Sequence, residues 1–242
     1  MVRLVWSKLI NPQICLVCGK ESGTGYPLCS GCLESRFLQP SSQISFVHPD
    51  PQRCLTCGRP LVSAMEVCTV CRNLPILTAI DRIIPLFSYT GIGQELLTRW
   101  KITGMRGLSW PFARCLAEAL ESISRKGLES IVIIPVPPRP GKIREKGWDQ
   151  VDELAGILSR KFGISILRCL SRDGGLEQKK LGRLDRYNNL KGHMQIRKGI
   201  SVPETVIVLD DLMTTGSTLD SCAEVLKNAG AGKVYGLTLF FD

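Results

Sequence analysis

Apolar positions in the last two thirds of the chain fall into short runs and helical stripes that take turns. Val206 to Leu209 are consecutive aliphatic residues, which predicts a strand buried on both faces, as in a parallel sheet. A small hydroxyl-rich loop follows, then a helical stretch from about Ser217 to Asn228. Asp81 to Tyr89 reads as a strand, placed at a sheet edge by Pro85, which has no N–H for a second neighbour. Ile92, Leu96, Leu97 and Trp100 recur at helical spacing within Gly91 to Thr103. Phe112, Leu116, Ala119, Leu120 and Ile123 do the same within Pro111 to Arg125. Ile131 begins an apolar strand that runs into a proline-rich loop ending at Gly141. Trp148 to Phe162 reads as a helix, Ile164 to Leu170 as a strand and Lys233 to Phe241 as the last strand. Strands alternating with helices predict an α/β fold, a doubly wound parallel sheet that binds its ligand at the carboxyl ends of the strands.

Two stretches depart from that rhythm. Ser171 to Lys198 has no hydrophobic periodicity and carries Arg172, Lys179, Lys180, Arg183, Arg186, Lys191, Arg197 and Lys198 against three acids. A long basic loop in a compact domain closes over a charged substrate or grips a nucleic-acid backbone. The first 75 residues are the other stretch, poor in large apolar side chains and rich in cysteine. Four Cys-x-x-Cys pairs stand there: Cys15/Cys18, Cys29/Cys32, Cys54/Cys57 and Cys68/Cys71. Every cysteine of the second half lies 39 residues after its counterpart, so the region is an internal duplication. Two such turns present four thiolates to one tetrahedral ion, which predicts two structural Zn²⁺ sites paired consecutively, one per repeat. Disulfides would need an oxidising compartment, and redox pairs normally occur once beside a βαβ unit. Cys115, Cys169 and Cys222 stand alone in apolar surroundings and read as core packing. The expected division is a double zinc ribbon over 1–75 and a ligand-binding domain over 76–242, whose core is 131–242 and whose 76–130 portion packs on it.

Composition narrows the chemistry. The chain has 242 residues and a formal charge of +9, which suits a phosphate-rich partner. With two histidines, His48 and His193, histidine acid–base catalysis is not expected. No run of eighteen apolar residues occurs and Met1 to Ile10 lacks a signal-peptide pattern, so no membrane span and a cytoplasmic location are expected.

The chemistry gathers at Asp210 and Asp211, which end the apolar run and precede Thr214, Thr215, Gly216, Ser217 and Thr218. Amides at a strand–loop–helix junction favour an anion, the hydroxyls add donors, and Gly216 is expected to let the backbone approach a ligand. Paired carboxylates beside such a cradle suit sugar hydroxyls or Mg²⁺-bound water. The proline-rich loop with Pro135, Val136, Pro137 and Arg139 is followed by Lys142, Arg144 and Lys146, cations that suit a pyrophosphate or form an ordinary solvated basic turn.

The acidic pair and its Thr-rich loop resemble the phosphoribosyl pyrophosphate motif of type I phosphoribosyltransferases. Along nearly its full length the chain resembles the ComF-type competence family. The Cys-x-x-Cys duplication, Lys101 to Gly104, Ile134 to Pro137 with Arg144 to Gln150, and Val208 to Thr218 carry that resemblance. It implies a double zinc ribbon followed by a phosphoribosyltransferase-like domain. It further implies that Thr214 to Thr218 hold a 5′-phosphate and that Asp210 and Asp211 take the ribose hydroxyls and, through water, Mg²⁺. Pro135 to Arg139, with Lys101 and Arg144, would face the pyrophosphate. The implied ligand is phosphoribosyl pyrophosphate or a nucleotide. The alternative is a non-catalytic DNA-uptake accessory that binds single-stranded DNA and a helicase partner. Two positions depart from the family pattern: Asp149 stands where an amide is usual, and Gly141 where an arginine is common.

Overall fold

The computed structural model describes residues 14–38, 44–46, 50–62, 65–73, 77–128, 131–173 and 194–242. The main sheet holds β1 (Arg82–Ser88), β2 (Val132–Pro135), β3 (Ser165–Ile166), β6 (Thr205–Met213) and β7 (Lys233–Phe241) in the order β1-β7-β6-β2-β3. All its neighbours are parallel. A separate antiparallel hairpin pairs β4 (Leu170–Arg172) with β5 (Met194–Ile196). Beyond the cysteine-rich region, the α-helices among the described residues are α1 (Ile92–Lys101), α2 (Ser109–Arg125), the short α3 (Lys142–Lys146), α4 (Gln150–Phe162) and α5 (Ser217–Asn228).

Period-two alternation sends the strand residues into two cores. Ile207, Leu209, Ile133, Ile84, Leu237 and Leu239 meet α1, α2 and α4 on one face. Val206, Val208, Ile134, Ile83 and Val234 meet α5 on the other. Apolar residues in unbroken succession thus serve both faces, which is the pattern the Val206 run predicted.

Local boundaries have identifiable causes. Asp149 accepts the Asp152 N–H at 2.9 Å and caps α4, so that helix starts two residues after the expected Trp148. Trp148 instead packs edge-on against the fully buried Trp100, with ring centroids 6.0 Å apart. The expected strand over Ile164 to Leu170 is a correction. Only Ser165 and Ile166 pair with β2, and Leu170 opens the separate hairpin. Between them Arg168 turns outward to Asp152 at 2.6 Å, which breaks the run. The hairpin forms the two roots of the basic loop, while 174–193, with His193, Lys179, Lys180, Arg183, Arg186 and Lys191, lies outside the described residues, as does His48. Cys115, Cys169 and Cys222 are buried, as expected.

The duplication is visible in the coordinates. Ile14 bridges Glu21 and, 39 residues on, Arg53 bridges Pro60. The Cys15 and Cys54 amides each donate at 2.8 Å to the residue five positions ahead, Lys20 and Arg59. The first knuckle stacks Tyr26 on Trp110 at the start of α2, with centroids 4.8 Å apart. The second lies along the free edge of β1, where the Ile83 N–H donates to the Thr56 carbonyl at 2.9 Å and Arg53 reaches the Pro85 carbonyl at 3.0 Å. Pro85 is on the edge strand, as its missing N–H predicted.

Asp220 in the first turn of α5 is buried, and its Oδ1 accepts the amides of Thr78, Ala79 and Ile80 at 2.9, 2.8 and 3.0 Å. It ties the segment entering β1 to the helix beyond the acidic pair. Removing it strands three donors, so Asp220→Ala is expected to cost about 3 kcal/mol in denaturant unfolding. A loss below about 0.5 kcal/mol would show that water takes over those amides.

Candidate functional site

Sheet order locates the site. From β2 the chain crosses through α4 to β3 on one side, and from β6 it crosses through α5 to β7 on the other. The crevice of an open parallel sheet lies where neighbouring connections diverge in this way. Pro135 ends β2 opposite Leu209 of β6, and the Val136 N–H donates to the Leu209 carbonyl at 2.9 Å. The Pro135–Arg139 loop and the acidic pair with its Thr-rich loop are therefore adjacent.

Asp210 and Asp211 lie within β6, which continues past them to Met213 opposite Phe241. Consecutive strand residues face opposite ways. Asp211, 5% exposed, accepts Lys101 Nζ from the end of α1 at 2.9 Å. Asp210 lies on the α5 side and folds its Oδ1 onto the Asp211 N–H at 2.8 Å. It retains some solvent access, yet dense packing and the neighbouring Asp211 charge push its carboxyl up to about 7, with Lys101 opposing. For Lys101, burial works against the charge, but Asp211, Asp210 and Asp149 outweigh it and hold the ammonium above its ordinary range. Arg172 of β4 is the cation on the other flank. Burial lowers its guanidinium, against the pull of Cys222 and Asp210 and with the like charge of Arg139 adding to the effect.

The loop before α5 is ordered by its own groups. Thr215 Oγ1 lies 2.7 Å from Ser217 Oγ and accepts the Ser217 N–H at 3.3 Å. The N-cap of α5 is Gly216 at φ +82°, which has no side chain to cap with, so Thr215 takes the Ser217 N–H and the N-cap leaves the amides after it free of its own cap. The first amides of a helix left uncapped in this way suit an anion. Gly216 also has a packing task. An added Cβ would stand 2.8 Å from Leu77 Cδ2 and 3.2 Å from Ile83 Cδ1, so the missing side chain makes room for packing as well as for the left-handed turn.

Other expected residues go elsewhere. Arg139 pairs with Glu145, and Arg144 is exposed on α3. Asp149, the departure from the family pattern, is a buried helix cap that also receives Lys142 Nζ at 2.6 Å. The fully buried Gln150 donates to the Lys101 carbonyl at 3.3 Å and so steadies the end of α1. Gln150 closes a stretch that carries the resemblance, though not with this role, while Asp220 and Arg172 had no periodicity or motif spacing to mark theirs. A groove of about 640 Å³ between α2 and the end of α4 includes Val132, the first residue of β2, and lies at the opposite end of the strands from Asp210.

The cysteines gather as consecutive pairing predicted: Cys15, Cys18, Cys29 and Cys32 in one cluster, Cys54, Cys57, Cys68 and Cys71 in the other, sulfurs within 4.8 Å of one another. Cys18 and Cys29 sulfurs are 3.8 Å apart, and Cys57 and Cys68 sulfurs 3.7 Å. Thiolates about 2.3 Å from a tetrahedral ion have edges of about 3.8 Å, so both clusters fit one such ion. Without an ion the second cluster shares its protons unevenly: side-chain bonds from Cys57 and Cys71 hold the Cys54 thiol well below its ordinary range, and the same bonds to Cys54 push Cys57 and Cys71 up.

Comparison with known proteins places these features. No family model matches the chain. Competence protein ComFC of Streptococcus pneumoniae is 25% identical over 156 residues, 64% of this chain and 66% of that protein. Competence protein F of Haemophilus influenzae is 28% identical over 160 residues, 64% of this chain and 70% of that protein. A stretch of 42 residues, 16% of this chain, is 50% identical to 22% of orotate phosphoribosyltransferase of Chlorobium phaeobacteroides. Among solved structures, a hypoxanthine phosphoribosyltransferase from Staphylococcus aureus superposes with TM-score 0.33 at 19% identity, covering 55% of this chain and 63% of that one. The chain thus spans about two thirds of the length of the competence proteins it matches. Those relatives bear out the ComF-type resemblance read from the motifs. Among the described residues, no helix is long and apolar enough to cross a membrane.

Proposed function

We propose that this relative of the ComF-type competence proteins binds phosphoribosyl pyrophosphate, or a nucleotide carrying the same phosphoribosyl group, between β2 and β6, and that it transfers or recognises that group. The observation that supports this is the meeting of an acidic pair, an uncapped helix start and the Pro135–Arg139 loop at one switch point. The amides and hydroxyls of Thr214 to Thr218 take the 5′-phosphate. Asp210, the carboxylate not paired with Lys101, accepts from the ribose hydroxyls, and Asp211 holds Lys101 towards the pyrophosphate side. As a pyrophosphate leaves, positive charge grows on the sugar, and these fixed carboxylates stabilise it. Mg²⁺ bound with the ligand supplies neutralisation of the departing group. No nucleophilic side chain is required. Arg139 and Arg144 serve this site only if Arg139 exchanges Glu145 for the ligand and α3 turns Arg144 inward.

The Cys₄ clusters hold structural Zn²⁺, since four thiolates leave no open position. In this reading residues 1–75 supply metal-held support and 76–242 the ligand chemistry. The competence names of the relatives and the +9 charge support a role linked to DNA uptake, with single-stranded DNA and a helicase as partners.

Calorimetric titration with phosphoribosyl pyrophosphate and Mg²⁺ tests the assignment. The native protein should bind, and Asp210→Ala with Asp211→Ala should bind about a hundredfold more weakly, two charge-assisted contacts being lost. Absence of binding by the native protein, or equal binding by both at matched circular dichroism, would remove the ligand assignment. If single-stranded DNA binds in its place, with affinity falling steeply with salt, the accessory role stands alone.

A further inference from the structure

The two Cys₄ knuckles share a sequence pattern but not surroundings. Gly19 of the first and Gly58 of the second both sit at positive φ, +70° and +68°. Around Gly19 an added Cβ would meet nothing within 4 Å, whereas at Gly58 it would lie 2.3 Å from the Ile83 carbonyl oxygen and 2.6 Å from Pro85 Cδ. The second knuckle is therefore seated on β1 without a gap. Ile83 continues the contact: its backbone meets Gly58 and Thr56, and its Cδ1 lies against the place where a Gly216 side chain would stand. Arg59, next to Gly58, donates its Nη2 to the carbonyl of Thr214, 155 residues away. Its counterpart in the first repeat is Lys20.

We propose that Arg59, held by the second Cys₄ cluster, is the positioning residue of the phosphate loop. In a trans peptide the C=O and the following N–H point in opposite directions, and the described residues contain no cis bond. Fixing the Thr214 carbonyl on the knuckle side thus fixes the Thr215 N–H away from it and sets the loop in one arrangement. Ile83 and Leu77 brace the same loop at Gly216. The cluster reaches the ligand site through two routes, a charged hydrogen bond and a packed side chain. The inference rests on the phosphate-binding reading above and deepens it: the ion in the second cluster and the phosphate stabilise each other's sites, and binding linkage makes that effect reciprocal.

The experiment compares native protein, Arg59→Gln and, as the matching change in the other repeat, Lys20→Gln. Calorimetry with phosphoribosyl pyrophosphate and Mg²⁺ is run beside zinc content and melting temperature. Arg59→Gln should bind about tenfold more weakly, the worth of one charge-assisted bond, with both zinc ions retained; Lys20→Gln should bind as the native protein does. Equal affinity in Arg59→Gln and native protein overturns the inference, while failure of the native protein to bind overturns the ligand assignment instead. Hydrogen exchange on the native protein needs no variant. Saturating ligand should slow exchange in the peptide spanning 54–60 as well as in 214–218, and leave 15–32 unchanged. Protection confined to 214–218 counts against Arg59, including in the case where Arg59→Gln does not fold.

Discussion

Serine in place of Cys54 should remove the ion from the second cluster and unfold the region around it, at a cost of several kcal/mol. Structural Zn²⁺ contributes on the order of 10 kcal/mol of apparent binding free energy in small zinc-held units, comparable with the whole stability of an ordinary domain. Behind the second knuckle stand partly buried apolar side chains such as Leu61 and Val67, whereas the first is backed by the buried Leu28, Leu33 and Phe37, so the second depends more on its thiolates. Cys169 is the control: it too is fully buried, but its thiol is pushed up by burial and it belongs to neither cluster. Cys169→Ser should cost about 1–2 kcal/mol and leave the metal content alone. Metal analysis of the native protein should find two zinc ions per chain, one for each cluster. Native protein free of metal, or equal losses from Cys54→Ser and Cys169→Ser, would show that the clusters are packed thiols rather than ligand sets.

Asparagine at position 210 should stabilise the protein above pH 7 and abolish most ligand binding. Burial and the Asp211 charge raise the Asp210 carboxyl from 3.8 to about 7 in the folded chain. A proton held more tightly in the folded state gives stability that is intact below pH 3.8 and lost as pH rises through about 7. Asp210→Asn does not titrate, so it should equal the native protein at low pH and exceed it by about 2 kcal/mol at pH 8, a figure reduced for the solvent that still reaches the group. In a chain of this size that is a rise of about 4–8 °C in melting temperature. Binding should move the other way. In the proposed reading the ionised carboxylate accepts from the ribose hydroxyls, so native affinity should climb between pH 6 and 8. Asp210→Asn, at roughly tenfold lower affinity, should show only the slope due to the ligand's own phosphate. Identical melting curves at pH 8 together with unchanged affinity would mean that Asp210 is neither strained nor in contact with ligand.

Higher stability and weaker binding of Asp210→Asn would together account for a carboxylate where an apolar or amide side chain would hold the sheet better: ligand binding would be what keeps the charge there.

Much of this was legible in the chain because the signals are local. Lys233 to Phe241 forms a strand with the expected limits, since all its residues but Leu239 fall in one parallel register with β6. Consecutive cysteine pairing followed from a repeat that carries four ligands in each copy. What escaped was set by contacts distant in sequence. Asp220 has its partners some 140 residues earlier, which no local pattern announces. The packing of Leu77 and Ile83 beside Gly216 likewise joins residues far apart in sequence. The acidic pair reads as the end of a strand because the apolar run stops there. Pairing with β7 instead carries the backbone on to Met213, and that continuation turns the two carboxylates to opposite faces. Arg139 and Arg144 illustrate the reverse case, in which charge close to a motif is partly spent on Glu145 or left on the surface of a short helix.

The most direct test is a structure of the protein with phosphoribosyl pyrophosphate and Mg²⁺ bound. The 5′-phosphate should lie against the amides that open α5, between Thr214 and Thr218, with the ribose hydroxyls on Asp210 and the pyrophosphate towards Lys101 and the Pro135–Arg139 loop. Ligand found instead in the groove between α2 and α4, or only along the basic surface with Asp210 and Asp211 untouched, would contradict the account.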